Sequence, residues 1–517
     1  MKTIKEPARD IPVLHEADVI VVGGGPAGIG AALASGRVGA KTVMIERFNC
    51  LGGLQTQGNN PTFTFVDPEL HNGIIMEIID RLRKAGAVKN YDDLASFTRG
   101  RFKKGVIAAV GEKNLPKRLI ETEAGYWGPW GLGFDMENYK VLLDDMMKEA
   151  NVKMLLHSFA AGAIREGNSL KGVIIETKEG RRAVLGKVII DTTGEGDIAW
   201  KCGAPVMGNE GFPAGPLKGQ PGGMLDAFFI GGVDIKKYVS FQEKHLPEWG
   251  QMYVGREIIA KAKKQGAHII GEAVVLAPTF DVYKGGRIYV MNPIYQVEKG
   301  KSSLMAEVLT DCDIELRKQA FAVHKVVKEN VPGFENSYIE RTPNLSCIGD
   351  GYRILGEHVV TVAEMREGKA HEDGVAINNM PPDLYEAVGR FIYDILPHDV
   401  PYRALVSKGI DNLLAAGTTM SSGGFAKAGL RYCTPSICTG QAAGTAAALA
   451  VKQKVSPKKL DVKLLQNTLR KQGARVTVID LSEEVLAPYK AIQKLRIKFQ
   501  RGDIKELPLT EEEIGKY

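Results

Sequence analysis

Ala17-Asp-Val-Ile-Val-Val22, Gly23-Gly-Gly-Pro-Ala-Gly28, Ile29-Gly-Ala-Ala-Leu-Ala-Ser35 and Lys41-Thr-Val-Met-Ile-Glu46 lie close together near the start of the chain. The first run is short, apolar and rich in β-branched residues, as suits a strand buried on both faces of a parallel sheet. A glycine turn, a small-residue helix and a second strand ending in an acid complete the dinucleotide-binding fingerprint in its required context. Gly23 permits the tight turn, Gly25 lets a pyrophosphate approach the backbone, and Gly28 lets helix and strand pack closely. The helix N-terminus offers free N–H groups and a partial positive charge to phosphates. Glu46 is positioned to accept hydrogen bonds from a ribose diol. With Pro26 and Ala27 in the turn and Arg47 directly after the acid, these residues form the expected nucleotide contact set.

The fingerprint alone does not choose between NAD and FAD; the stretches that follow do. Arg47-Phe-Asn-Cys-Leu-Gly52-Gly53-Leu-Gln-Thr56-Gln-Gly58 is a loop with paired glycines just beyond the ribose acid. Val188-Ile-Ile-Asp-Thr-Thr-Gly194-Glu-Gly-Asp197 is another apolar strand broken by a glycine turn, and Asp411-Asn-Leu-Leu-Ala-Ala-Gly417 repeats the form. A small-residue helix, Thr439-Gly-Gln-Ala-Ala-Gly-Thr-Ala-Ala-Ala-Leu-Ala450, comes last.

In this order the four pieces resemble the FAD-dependent oxidoreductases of the glutathione-reductase-type flavin fold, distantly akin to fumarate reductase and succinate dehydrogenase flavoproteins. The most specific match is Val400-Pro-Tyr-Arg-Ala-Leu, then Asp411–Gly417, Arg431 and Gly440-Gln-Ala-Ala-Gly. The resemblance implies an α/β fold: a discontinuous Rossmann-like FAD-binding domain with an inserted α+β substrate domain. It implies Gly52, Gly53 and Thr56 on the flavin side of the first loop, Gly194 by the nucleotide and Gly417 at the ribityl chain. A last helix starting near Gly440, with Gln441 and Ala442, would aim its N–H groups at the N1–C2=O edge of reduced flavin. The family's R-E-T-R-R-I-x-G stretch reads Gly349-Asp-Gly-Tyr-Arg353-Ile-Leu-Gly356 here. Only Arg353 of its three arginines remains, so a carboxylate clamp at that place is thinned.

The expected division is 1–60, 135–205 and 400–455 for the FAD-binding domain, 61–134 for a cap and 206–399 for the substrate domain, with a helical tail at 456–517. Asp135 reads as the cap of an amphipathic helix. The strand-like runs Ala227-Phe-Phe-Ile-Gly and Arg287-Ile-Tyr-Val-Met fall in the substrate domain. The aromatic loop Gly125-Tyr-Trp-Gly-Pro-Trp-Gly131 would cover the flavin or substrate, or form a small core of its own.

Candidate catalytic groups are Arg353, His358, Arg403 and Tyr432, with Arg431 as a flavin or substrate contact. His358 is the histidine of the divergent stretch able to exchange a proton near neutral pH. The expected activity is hydride transfer between flavin N5 and a small organic substrate; the alternative is an FAD-binding subunit passing electrons to a partner protein. An electron-donor protein or NAD(P)H would supply reducing equivalents, and no second nucleotide fingerprint occurs to hold NAD(P)H. The hydroxylase-type Gly-Asp-Ala motif is replaced by an Ala-Ala-Gly turn, which disfavours a monooxygenase.

Composition agrees with a globular enzyme. Of 517 residues, 44% are hydrophobic and 25% charged, which excludes disordered, collagen-like and coiled-coil classes. Lys and Arg number 67 against 61 Asp and Glu, a net +6 with the signs interspersed, so no nucleic-acid-binding face is expected. The six cysteines form no C-x-x-C, against a dithiol relay, zinc ribbon or iron–sulfur cluster. No H-E-x-x-H or clustered His/Cys spacing suggests a metal, and His371-Glu-Asp373 reads as a solvated turn. The N-terminus lacks an apolar signal core, and Tyr432–Val451, uncharged for 20 residues, is too weakly apolar to span a membrane. The expectation is a cytoplasmic protein, with a homo-oligomer open.

Overall fold

Burial of the apolar run at 17–22 is what a central parallel strand requires. It forms the last part of β1 (Val13–Val22), whose final four residues are all buried. The structure is a computed structural model. It describes residues 2–88, 132–208, 219, 221–245, 249, 253–278, 283, 285–383, 394–487, 489–490 and 493. The aromatic loop at 125–131 and the end of the tail lie outside them.

The strands β1, β2 (Thr42–Ile45), β3 (Lys153–Leu155), β4 (Phe159–Glu166), β5 (Ser169–Thr177) and β6 (Gly180–Asp191) form one sheet in the order β3-β2-β1-β6-β5-β4. Its seventh strand, Leu413–Ala415, also pairs with β6. Pairing is parallel from β3 through β6 and onto Leu413–Ala415, and antiparallel among β4, β5 and β6. The twelve residues of β6 serve three neighbours. Val13–Val22 takes one edge, while the other is divided between β5 at its start and Leu413–Ala415 at its end. Register sets Val22 beside both Ile45 and Asp191. The chain therefore leaves three adjacent strands at one edge, at Gly23, Glu46 and Thr192, where ligands of open α/β sheets bind.

Helices α1 (Pro26–Arg37), α2 (Ile74–Lys84), α3 (Met136–Glu149), α4 (Ala306–Asn330) and α5 (Cys433–Gln453) include the main covering elements. The packing of α1 on α5 is backbone to backbone. A Cβ on Gly440 would sit 2.0 Å from the Ala27 carbonyl oxygen, and one on Gly444 2.0 Å from that of Ala31. Asp135 caps α3, its carboxylate accepting the Asn138 N–H at 2.8 Å.

A second, antiparallel sheet is built from residues 224–341. Its order is Tyr253–Val254, Val274–Ala277, Ile288–Tyr295, Met224–Gly231, Tyr338–Arg341. The strand period of two sorts its faces. Phe228 and Ile230 pack with Val323 and Val327 of α4, whereas Ala227 and Phe229 pack with Met136 of α3. The inserted sheet is thus anchored to the nucleotide-binding unit through its own inner face. Arg341 and Asn344 strengthen that joint by donating to the Thr56 and Gln57 carbonyl oxygens and the Gln57 side chain. Among the described residues, no helix is long and apolar enough to cross a membrane.

Candidate active site

A long cleft starts at the carboxyl edge of the first sheet and runs toward the second. Its outer part is lined by Gly23, Gly25, Pro26, Ala27, Glu46 and Arg47, with Ser158 and Phe159 across from them. Glu46 is buried, and its two carboxylate oxygens accept the N–H groups of Gly24 at 2.6 Å and Phe48 at 2.8 Å. Each oxygen keeps a lone pair for a further donor. A side chain on Gly25 would meet protein no closer than Gly53 Cα at 4.0 Å, and one on Gly194 would meet nothing within 4 Å. Both glycines line the cleft, so a Cβ at either place would occupy cleft space.

The inner part is closed by the inserted unit through Leu225, Tyr289, Met291, Ser346 and Cys347. Asp383, Arg431, Tyr432, Cys433 and Ser436 form a polar corner there. Tyr432 donates its hydroxyl to Asp383 Oδ2 at 2.8 Å, Arg431 lies 3.7 Å from the same oxygen, and Arg431 Nη1 donates to Cys347 Sγ at 3.6 Å. Helix α5 begins at this corner. Tyr432 is its N-cap residue, so the first-turn N–H groups, free of intrahelical partners by helix geometry, lie at the cleft wall from Cys433 onward.

The expected helix start near Gly440 is therefore corrected by two turns. Gly440 is small because α1 touches it there. Gln441 points to the other side of α5, where its Oε1 accepts the N–H of Ile74 at the start of α2 at 3.1 Å. Ala442 lies in the core. Other expected contacts stand behind the wall. Gly28 packs on Gly23, whose carbonyl oxygen would be 1.8 Å from a Cβ. Thr56 is buried, donates to the Leu51 carbonyl and fills the space beside Gly52. Gly417, at φ +66°, abuts Ala27 and Ser436, while its neighbours Ala416 and Thr418 reach the cleft. Gly53, Gly194, Arg431 and Tyr432 do line it.

Three expected catalytic groups are not cleft-lining. Arg403 makes a two-pronged pair with Asp373, at 2.9 and 3.1 Å, on a half-exposed side chain. His358 contacts Glu364 at 2.9 Å. Arg353 is buried and donates to the Ser422 carbonyl at 2.9 Å.

Arg353 nevertheless belongs to a charged cluster behind the cleft that sequence reading missed. Lys427 is buried beside it, 3.2 Å from the Gly349 carbonyl and 4.0 Å from Asp350. Burial, with Arg353 and Arg431 nearby, pushes its ammonium down to about 8. Glu195 stands in the cleft wall, and burial, with Asp197 nearby, pushes its carboxyl up to about 7 against the pull of Arg47 and Lys427. One group able to exchange a proton near neutrality, Glu195, thus sits in the cleft wall with a second, Lys427, behind it, and perturbed groups of this kind are common at catalytic sites. Glu195 was visible inside Gly194-Glu-Gly-Asp197, and Lys427 as a lone cation in a small-residue helix. Asp383, after two prolines, carried no signal.

The sequence family described as FAD dependent oxidoreductase matches residues 18–469. The chain belongs to that family. It is an FAD-dependent oxidoreductase with a Rossmann-type nucleotide-binding fold. A stretch of 112 residues is 33% identical to thioredoxin reductase of Bacillus subtilis (strain 168), covering 21% of this chain and 34% of that reductase, about a third of its length. Among solved structures, the geranylgeranyl bacteriochlorophyll reductase-like protein of Thermoplasma acidophilum aligns at 13% identity and TM-score 0.42, over 95% of this chain and 99% of that one. The p-nitrophenol 4-monooxygenase of Pseudomonas putida DLL-E4 aligns at 12% identity and TM-score 0.43, over 95% and 96%.

The oxidoreductase cleft fits FAD on its own geometry. The glycine floor at Gly25 and the N-terminus of α1 would hold the pyrophosphate. Glu46 would take the ribose hydroxyls, and the first turn of α5 would face the ring system.

Proposed function

We propose that the enzyme acts on a small organic substrate bound at the inner end of the cleft. It either reduces a polarised C=C bond or dehydrogenates a C–C, C–O or C–N centre. FAD supplies the hydride chemistry, at N5 of its ring. The observation that carries this reading is that one cleft is lined by both units, with Leu225, Tyr289 and Met291 of the inserted sheet facing the polar corner of Asp383, Arg431 and Tyr432. An apolar chamber with a few convergent polar groups suits a small organic ligand. In this reading Arg431 binds negative charge on the substrate. The Tyr432 hydroxyl gives or takes the proton that accompanies hydride transfer, with Asp383 Oδ2 orienting it. The apolar walls exclude water.

The test is an anaerobic visible spectrum before and after chemical reduction, followed by a panel of acceptors and donors. Reoxidation by an unsaturated compound supports the reductase form, and bleaching by a saturated alcohol, amine or acid supports the dehydrogenase form. Flavin that cycles chemically but exchanges electrons only with a partner protein overturns the proposal.

A further inference from the structure

Outside the FAD cleft, His358, Glu364 and His371 converge. His358 Nε2 is 2.9 Å and His371 Nε2 3.4 Å from the same oxygen, Glu364 Oε1, and one donor atom from each residue lies within 4.8 Å of the others. The imidazole centroids are 5.0 Å apart and their planes cross at 67°. His371 is no solvated turn residue. Its side chain is 8% exposed, and Nε2 is buried, 3.4 Å from Glu364 Oε1 but without a hydrogen bond to it.

We propose that these three residues bind a divalent transition-metal ion of the zinc class. Tetrahedral zinc with bonds of about 2.0–2.1 Å sets its donors ~3.3 Å apart, close to the two nitrogen–carboxylate separations of 2.9 and 3.4 Å, so the ion would occupy the gap that leaves His371 Nε2 unsatisfied. Two imidazoles and a carboxylate suit zinc and its neighbours rather than magnesium or calcium, which take oxygen ligands. Three protein ligands leave a position for water. The carboxylate is oriented from behind, because Glu364 Oε2 accepts the Thr361 N–H at 2.8 Å, and such outer contacts commonly fix metal ligands. The nearby Arg403 guanidinium is already paired with Asp373. The ion would tie the loop at 358, the short helix Val362–Glu367 and the turn at 371 into one unit.

Full-length protein stripped with a chelator would be dialysed against micromolar zinc in the presence of millimolar magnesium, and its metal content measured by atomic emission. The expected result is about one zinc per chain, reduced at least tenfold in His371→Ala and in Glu364→Gln. Glu364→Gln keeps an acceptor for Thr361 and so guards against a simple folding defect, with bound flavin absorbance as the fold check. Wild-type protein that takes up less than about a tenth of an equivalent overturns the proposal, as do folded variants that keep wild-type content. X-ray absorption fine structure of the zinc-loaded wild type gives a reading independent of any variant. Two imidazole ligands support the site, and a shell without imidazole overturns it.

Discussion

Tyr432 and Asp226 show how much depends on single side chains near the inner cleft. The Tyr432 hydroxyl, 2.8 Å from Asp383 Oδ2, is the proton-exchanging group proposed here. Tyr432→Phe should lower kcat by about 10²-fold or more while leaving bound flavin unchanged, and stopped-flow reduction kinetics would read it. Equal rates would remove Tyr432 from the mechanism. Asp226, between the cleft-lining Leu225 and the buried Ala227, is itself buried, with Oδ1 unpartnered. Burial, with Asp313 adding repulsion, pushes its carboxyl up to about 7. Between pH 4 and 7 the unfolded chain therefore holds fewer protons than the folded one at this site, and stability falls as pH rises through that window and then levels off. A shift of this size corresponds to about 4 kcal/mol at most. Asp226→Asn should match wild type near pH 4 and be the more stable protein at pH 8, as measured by urea unfolding at each pH. Parallel wild-type and variant curves would show that Asp226 ionises freely.

At the scale of elements, the crossing of α1 and α5 decides both the packing and the site. Gly440→Ala would place a methyl group 2.0 Å from the Ala27 carbonyl oxygen, and since both atoms belong to helices pinned against the sheet, the helices must separate. Overpacking of this kind costs about 1–3 kcal/mol, so the variant should unfold at lower urea and retain less FAD. Gly162→Ala is the control. Its new Cβ would be 3.7 Å from Ile174, an ordinary contact, and its midpoint should move little. Similar midpoints for the two would mean that the helices give way easily. The same crossing explains what sequence could and could not tell. The run of small residues after Thr439 correctly announced a helix against the nucleotide-binding unit, because close packing leaves a compositional trace. The start of that helix left none. Tyr432 is not a usual capping residue, and its hydroxyl serves Asp383, so the first turn at the cleft passed unread. The glycine fingerprint was legible because each of its residues answers a local backbone demand. The contacts of Thr56 and Gln441 depend on partners that only the folded chain brings near.

For the whole molecule, the decisive feature is a cleft whose walls come from both sheets. Gly25 and Glu46 are close in sequence, but Leu225, Tyr289 and Cys347 share a cleft with them only because the inserted sheet packs its inner face on α3. That pairing of distant segments is why the periodic strands of the insertion could be read from sequence while their place in the site could not. FAD occupying the whole of that cleft would clamp the two units together. A ligand that binds only the folded chain stabilises it by about 2.7 kcal/mol at a free concentration 100 times its Kd. Here that stabilisation should be shared by both units. FAD added to flavin-free protein should raise the melting temperature by several degrees. Hydrogen exchange should slow at 23–28 and 46–48, and also at 289–291 and 345–348, whose residues line the far wall. Protection confined to the first sheet, with the inserted strands exchanging as fast as before, would mean that FAD stops short of the inner chamber, and the substrate site would then have to be sought outside the inserted unit.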